Sequence, residues 1–162
     1  MSADIPEDFV DLVGCLRLEQ CDFLIVGAHA LAAHGAPRAT GDLDVFVRPD
    51  TANARKVYRS LARFGAPIAA HGIEPDDFAK PNTVYQMGLP PNRIDILTSI
   101  SGVSFEEATE GAVAGHLGGE TVRCIGLEAL LRNKRAAGRP KDLADVATLE
   151  ELQARSAGAI GR

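Results

Sequence analysis

Hydrophobic residues recur at two spacings along the chain, and the change of spacing divides it into helices and strands. Apolar positions three or four residues apart predict helices over residues 5–20, 28–33, 51–64, 126–136 and 140–155. Short apolar runs bounded by glycine, proline or polar residues predict strands over 23–26, 43–47, 83–88, 93–98, 112–117 and 121–125. Strands and helices alternate, so we expect a mixed α/β fold with a central β-sheet flanked by helices.

The segments between these elements are mostly short. Residues 65–82 are the exception, because they are rich in glycine, proline and polar residues and predict a long loop with one short helix near 76–79. The Leu89-Pro90-Pro91-Asn92 turn joins two predicted strands and favours an antiparallel hairpin. With 162 residues, the chain has the length of a single domain spanning 1–162.

Composition and charge narrow the class of protein. The chain has 46% hydrophobic, 24% charged and 5% aromatic residues, which is typical of a globular domain. Its net charge of -5 argues against general, charge-driven binding of nucleic acid. No apolar run approaches the roughly 20 residues of a membrane span, and the N-terminus lacks a basic first region, so we expect a cytosolic protein with no membrane partner. Three cysteines without a CxxC pair predict reduced, packed thiols.

Two aspartates stand one residue apart at the second predicted strand. Side chains two apart on a strand leave the same face, with a rise of roughly 3.3 Å per residue. Asp42 and Asp44 therefore present their carboxylates to one hard cation or a close pair of cations, while Leu43 and Val45 point into a core. Because the preceding strand runs into a turn at Gly27, this segment predicts a metal-dependent site that handles phosphate groups.

A third carboxylate, Asp95, lies on a later predicted strand. Ile94 and Ile96 share one face of that strand and Asp95 takes the opposite face. If this strand lies beside the first acid pair, three carboxylates can hold two divalent ions and the phosphate oxygens of a nucleotide. The alternative for Asp95 is an exposed strand position without a function.

Helical phase indicates a second polar cluster near the C-terminus. Lys134 falls within the apolar stripe of its predicted helix, and Asp142 and Asp145 lie on the inner face of the next one. Because an unpaired buried charge is costly, two interpretations follow. Either Lys134 pairs with the aspartates as a structural lock, which phase alone favours, or it reaches a bound phosphate while the aspartates orient it.

Taken together, these motifs resemble those of the minimal nucleotidyltransferase superfamily. The resemblance covers about residues 21–150 and is carried by Gly27-Ala28 after a strand, His34-Gly35, Arg38-x-Thr40-x-Asp42-x-Asp44, Asp95, and the series Lys134, Arg139, Asp142 and Asp145. More narrowly, the chain is similar to small nucleotidyltransferase-like proteins related to the AbiEii-type toxins. The resemblance implies a nucleotidyltransferase fold and an antitoxin as an expected partner.

The resemblance also implies roles for individual residues. Asp42, Asp44 and Asp95 would bind Mg²⁺ or Mn²⁺, and Asp95 would help activate the acceptor. The turn at Gly27 and Ala28 would cradle the triphosphate of a nucleoside triphosphate (NTP), and Lys134 would contact phosphate. The remaining expected nucleotide-binding residues are Arg38, Thr40, Asp142 and Asp145.

Several functions follow from these features. The first is transfer of a nucleoside monophosphate from an NTP to a hydroxyl of RNA, protein or a small molecule. In the family's first motif a serine or glycine usually occupies the position of Ala28, so the second is a nucleotide-binding or toxin–antitoxin module without turnover. A metal-dependent phosphohydrolase with an aspartate nucleophile ranks last. Histidines 29 and 34 are expected to pack, and the basic residues at 132, 135, 139 and 141 to form a solvated helix end or to steer a nucleotide or RNA.

Overall fold

A computed structural model describes residues 5–37 and 41–160 of the chain. It confirms the mixed α/β fold and each predicted strand and helix, with ends shifted by no more than two residues except in the last helix, which extends five residues beyond its predicted end. The helices are α1 (Glu7–Leu18), α2 (Gly27–Ala33), α3 (Thr51–Phe64), α4 (Phe105–Thr109), α5 (Leu127–Ala137) and α6 (Pro140–Ile160), with a 3₁₀ helix at Pro75–Ala79. The strands are β1 (Phe23–Val26), β2 (Leu43–Val47), β3 (Val84–Met87), β4 (Ile94–Leu97), β5 (Val113–Leu117) and β6 (Glu120–Cys124).

The strands form one six-stranded sheet in the order β3-β4-β2-β1-β6-β5. Strands β3 and β4 pair antiparallel, as the predicted hairpin requires, and so do β5 and β6. In the centre, β2 runs antiparallel to β1 but parallel to β4. Asp44 therefore lies on a strand directly beside the strand that carries Asp95, and Asp42 stands just before that strand.

Helix α4 is an element that apolar periodicity does not predict. It spans one turn, which is too short to show a helical repeat. Its first turn is held by a capping box, in which the Ser104 side chain accepts a hydrogen bond from the Glu107 backbone and the Glu107 carboxylate accepts one from the Ser104 backbone. The sequence signal for this helix is the Ser-x-x-Glu spacing.

The core forms where the apolar sides of the sheet meet the helices. Helix α1 packs against α3, and both contribute fully buried side chains such as Leu12 and Val57. Leu43 and Val45 on β2 are fully buried, which confirms the predicted inward face of that strand. In the described part of the chain, every helix is too short or too polar to cross a membrane.

Helices α5 and α6 are joined through an ion cluster that we call the buried ion cluster: Lys134, Asp142 and Asp145 are buried, and the exposed Arg139 completes it. Lys134 is 6% exposed, and its Nζ lies 3.1 Å from Asp145 Oδ2 and 3.4 Å from Asp142 Oδ1. Arg139 Nε donates a hydrogen bond of 2.6 Å to Asp142 Oδ2. Burial raises the pKa of Asp142, but the hydrogen bonds of Arg139 and the charge of Lys134 outweigh it and hold that pKa below its usual range. The structural pairing indicated by helical phase is therefore present.

The buried ion cluster gives a first prediction. Lys134→Met removes the cation between two buried carboxylates, so we expect the free energy of unfolding to fall by about 3 kcal/mol. Urea unfolding at neutral pH measures this change.

The control is Arg135→Met at the next position. Arg135 Nη2 lies 2.7 Å from Glu150 Oε1, but both side chains are more than half exposed, so a change within about 0.5 kcal/mol is expected. Equal effects of the two substitutions would show that burial of the Lys134 pair contributes nothing to stability.

Candidate active site

Three aspartates meet at one edge of the sheet, and we call Asp42, Asp44 and Asp95 the acid trio. Asp44 and Asp95 are direct partners in the parallel pairing of β2 with β4. Asp42 stands just before β2, two residues from Asp44. The side chain of Asp95 is 10% exposed and that of Asp42 is 33% exposed, so the trio runs from the sheet interior towards solvent. Asp95 is thus not the exposed strand position that was the alternative.

The turn after β1 lies directly against the acid trio. Val26 is the antiparallel partner of Asp44, and Gly27 follows with a φ of 69°. A Cβ at Gly27 would lie 2.3 Å from Asp44 Oδ2. Glycine is required here for two reasons, because the backbone is left-handed and because the Asp44 carboxylate occupies the space of a side chain.

A cleft of about 520 Å³ joins the acid trio to the buried ion cluster. Predicted site residues that line it are Gly27, Ala28, Asp42, Asp44, Asp95, Lys134 and Asp142. Asp145 is not among the residues that line the cleft, but it forms an ion pair with Lys134, which does line it. Arg38 and Thr40, the other two predicted residues, lie outside the described residues.

Arg93 is a member of the site that the predicted residues do not include. Its Nε donates a hydrogen bond of 3.0 Å to Asp95 Oδ1, and its Nη2 lies 3.3 Å from Asp42 Oδ2. The backbone N–H of Arg93 also donates to Asp42 Oδ1 at 3.3 Å. Strand alternation contains the signal for this residue, because positions 93 and 95 share one face.

Further polar residues line the cleft without any sequence motif that marks them. Asn82 and Ser99 lie at the outer ends of the β3–β4 hairpin, where the Asn82 backbone N–H donates to Ser99 Oγ at 2.9 Å. Asn133 on α5 donates to the Ser101 carbonyl at 3.0 Å and also lines the cleft. Distant chain segments meet here, so only the folded chain brings these side chains together.

The acid trio concentrates negative charge in a partly buried place. Burial raises the pKa of Asp44, and the charges of Asp95 and Asp42 raise it further, to about 6. The nearby Arg93 guanidinium acts in the opposite direction. The site therefore favours the entry of a proton or a metal cation.

Carboxylate oxygens are the ligands that Mg²⁺ and Mn²⁺ prefer, so the chemistry of the acid trio fits such an ion. The three carboxylates, as positioned in the structure, do not form a complete coordination shell for a metal ion. Within residues 5–37 and 41–160, no three acidic, histidine or cysteine side chains converge in a metal-binding arrangement. The contacts of Arg93 with Asp42 and Asp95 give a physical reason, because they hold two of the three carboxylates.

The basic residues near the C-terminus divide into two groups. Arg132 pairs with Glu107 and Arg135 with Glu150, away from the acid trio. Arg139 and Lys141 line the cleft, and the side chain of Arg139 is 61% exposed although Asp142 holds one end of its guanidinium. Lys134 is much less accessible than Arg139, so Arg139 is the better placed cation for an incoming anion.

The two histidines of α2 and its C-terminal end contact the protein core. His34 Nε2 forms a hydrogen bond of 2.7 Å with the Ile125 carbonyl, and the His29 ring packs edge-on against Phe9. Burial lowers the pKa of His29 below its usual range.

No protein-family description and no curated protein matches the sequence. Solved structures with the same fold do exist. The antibiotic-resistance factor ANT(2'')-Ia in complex with adenylyl-2''-tobramycin superposes with a TM-score of 0.53 at 14% identity, covering 94% of this chain and 96% of that chain. The lincosamide antibiotic adenylyltransferase LnuA, bound to lincomycin, gives 0.52 at 12% identity, covering 93% of this chain and 99% of that chain. A putative nucleotidyltransferase from Thermotoga maritima, TM1012, gives 0.50 at 11% identity with 95% and 91% covered.

These similarities establish the fold. The chain has the nucleotidyltransferase fold, with a mixed six-stranded sheet flanked by helices, as the sequence resemblance implies. Identities this low do not by themselves transfer an activity.

The turn at Gly27 gives a second prediction. Gly27→Ala combines an unfavourable left-handed backbone with a collision against Asp44, so we expect it to lower the free energy of unfolding by about 3 kcal/mol. Gly72→Ala is the matched control, because Gly72 has a φ of 68° and open space around its Cβ position. That change should cost only about 1 kcal/mol. Similar values in urea unfolding would contradict the role of the Asp44 contact.

The raised pKa of Asp44 gives a third prediction, for the metal-free protein in EDTA. An acid whose pKa is higher in the folded than in the unfolded state loses stability as the pH rises from about 4 to about 6. Asn cannot ionise, so Asp44→Asn should be more stable than the wild type at about pH 7.5, by about 2 kcal/mol, and not at about pH 4.

Urea unfolding at the two pH values measures this difference. Asp22→Asn is the control, since Asp22 is an exposed carboxylate outside the cleft and should show no such gain at neutral pH. A stability difference for Asp44→Asn that does not change with pH would contradict the electrostatic cause.

Proposed function

We propose that the protein is a metal-dependent nucleotidyltransferase that transfers a nucleoside monophosphate from an NTP to an acceptor hydroxyl. The observation that supports this most is the register of β2 and β4, which pairs Asp44 with Asp95 beneath the Gly27 turn. The fold shared with two antibiotic adenylyltransferases adds support.

In this proposal the acid trio is the place of a divalent cation, Mg²⁺ or Mn²⁺. When bound, such an ion neutralises the charge that develops on the transferred phosphate and on the leaving pyrophosphate. Asp95 is the carboxylate best suited to accept the proton of the acceptor hydroxyl, because it is mostly buried and lies on the cleft wall. In the structure Arg93 is hydrogen-bonded to Asp95, so proton transfer to Asp95 requires that Arg93 first release this carboxylate.

The triphosphate would lie between the Gly27 turn and the buried ion cluster. Both border the same cleft, and its volume of about 520 Å³ is in the range of small-ligand sites. Arg139 lines the cleft while its Nε and Nη2 both donate hydrogen bonds to Asp142, which leaves Nη1 for phosphate oxygens. Lys134 would act mainly through the cluster, by balancing the charges of Asp142 and Asp145, and Asp142 orients Arg139.

The narrower relation to AbiEii-type toxins is part of the proposal, as is an antitoxin partner. Its support is the arrangement of Lys134, Arg139, Asp142 and Asp145, which stand in the family's order and form one ion cluster. The acceptor in that case would be an RNA or a protein. A small-molecule acceptor is the counterpart suggested by ANT(2'')-Ia and LnuA.

A nucleotide-binding module without turnover is the second candidate, because Ala28 lines the cleft with a methyl group where a serine hydroxyl is common. Backbone N–H groups at the turn can still donate to phosphate, so binding does not need the hydroxyl.

The test uses α-labelled NTPs with Mg²⁺ or Mn²⁺ and acceptors of three kinds: RNA, protein, and antibiotics of the aminoglycoside and lincosamide classes. We expect label transfer with release of pyrophosphate, and Asp44→Asn should lower the rate at least about a hundredfold by removing a carboxylate that the transition state requires. Asp22→Asn lies outside the cleft and should keep the wild-type rate.

Calorimetry with each NTP separates the two candidates. Binding without label transfer to any of these acceptors would favour the module, and the absence of both binding and transfer would refute the proposed function. Equal transfer by the wild type and Asp44→Asn would place the chemistry elsewhere.

A further inference from the structure

Arg93 contacts the oxygens that a metal ion at the acid trio would use. Its Nη2 lies 3.3 Å from Asp42 Oδ2 and 3.4 Å from Asp95 Oδ2, and its Nε lies 3.0 Å from Asp95 Oδ1. One guanidinium thus spans two of the three carboxylates. These are charge-assisted contacts in a place where little solvent screens the Asp95 side chain.

A guanidinium and a divalent cation compete for such a position. Both need the same carboxylate oxygens, and two positive groups a few Å apart repel each other strongly in a partly buried site. The arrangement of the trio agrees with this competition, because the carboxylates of Asp42 and Asp95 contact Arg93 and, in the described part of the chain, no three acidic side chains form a metal-binding group.

The position of Arg93 also allows its side chain to move away from the carboxylates of the acid trio. Its backbone is fixed at the start of β4, where its N–H donates to Asp42 Oδ1, but its side chain is 32% exposed and lines the cleft. The long side chain can swing about this anchored backbone. Phosphate oxygens offer a guanidinium the same two-point hydrogen bonding as a carboxylate.

We propose that Arg93 is an internal counter-ion of the acid trio, which a divalent cation must displace, and that the phosphates of a bound nucleotide offer it a second position. The first half stands on the contacts of Arg93, whereas the second half rests on the proposed function. Metal and nucleotide then assist each other, since each favours the conformation in which Arg93 has left the carboxylates.

The first measurement is the affinity for Mn²⁺ alone, by calorimetry on the full chain. Because the wild type binds metal only in the fraction of molecules with Arg93 displaced, Arg93→Gln should bind Mn²⁺ roughly tenfold more tightly. Arg93→Lys keeps the charge but loses the planar fork that spans two carboxylates, so a smaller gain of a few-fold is expected. If Arg93→Gln does not fold, the Lys variant still gives the comparison.

Arg48→Gln is the matched control. Arg48 also bridges two carboxylates, those of Asp22 and Glu106, and its side chain is 31% exposed, compared with 32% for Arg93. It does not line the cleft, so its loss should leave Mn²⁺ affinity unchanged. An equal or weaker affinity of both Arg93 variants relative to the wild type would overturn the proposal.

The second measurement is the binding of ribonucleoside triphosphates in EDTA, where no metal contributes. Arg93→Gln should bind them several-fold more weakly than the wild type, because the phosphates lose a guanidinium partner. Equal nucleotide affinity would overturn the second position of Arg93. If Mn²⁺ binding tightens in the variant but neither protein binds nucleotide even when Mn²⁺ is present, the proposed function fails and the counter-ion role stands.

Discussion

The structure depends on one constraint: Asp44 and Asp95 occupy paired positions on neighbouring parallel strands, and both carboxylates are largely removed from solvent. Like charges this close destabilise a fold, which is why the pKa of Asp44 rises to about 6. The apolar partners on either side, such as Leu43 opposite Ile94, fix the register through the core. Hydrophobic packing therefore holds together an acidic arrangement that electrostatics alone would separate.

The surroundings of the acid trio reduce this repulsion in ways that a ligand can reverse. Arg93 supplies a positive charge from within the chain, and Gly27 leaves room for the Asp44 carboxylate beneath the turn. The buried ion cluster on the opposite wall is balanced separately, since Lys134 and Arg139 neutralise Asp142 and Asp145. The unbalanced negative charge of the cleft is thus concentrated at the starts of β2 and β4, where it attracts a cation most strongly.

The fold follows closely from the sequence, and the reason is the strength of local signals. Strand β2 and helix α3 have the predicted bounds, because alternation, an Asp50 cap and a C-terminal Gly65 mark them locally. Helix α4 escapes prediction because a single turn has no periodicity to detect. Strand order is a tertiary property, so local sequence signals do not reveal that β2 and β4 are neighbours, and this adjacency is seen only in the folded sheet.

The candidate site shows the same division between local and tertiary information. Side-chain spacing predicts that Asp42 and Asp44 share a face, and helical phase predicts that Lys134 meets Asp142, because each relation spans only a few residues. The pairing of Arg93 with Asp42 joins positions 51 residues apart and depends on how two strands align. Such distant contacts decide whether a carboxylate faces a metal or an arginine. The acid trio therefore indicates the chemistry of the site, whereas Arg93 determines whether its carboxylates are paired before a ligand binds.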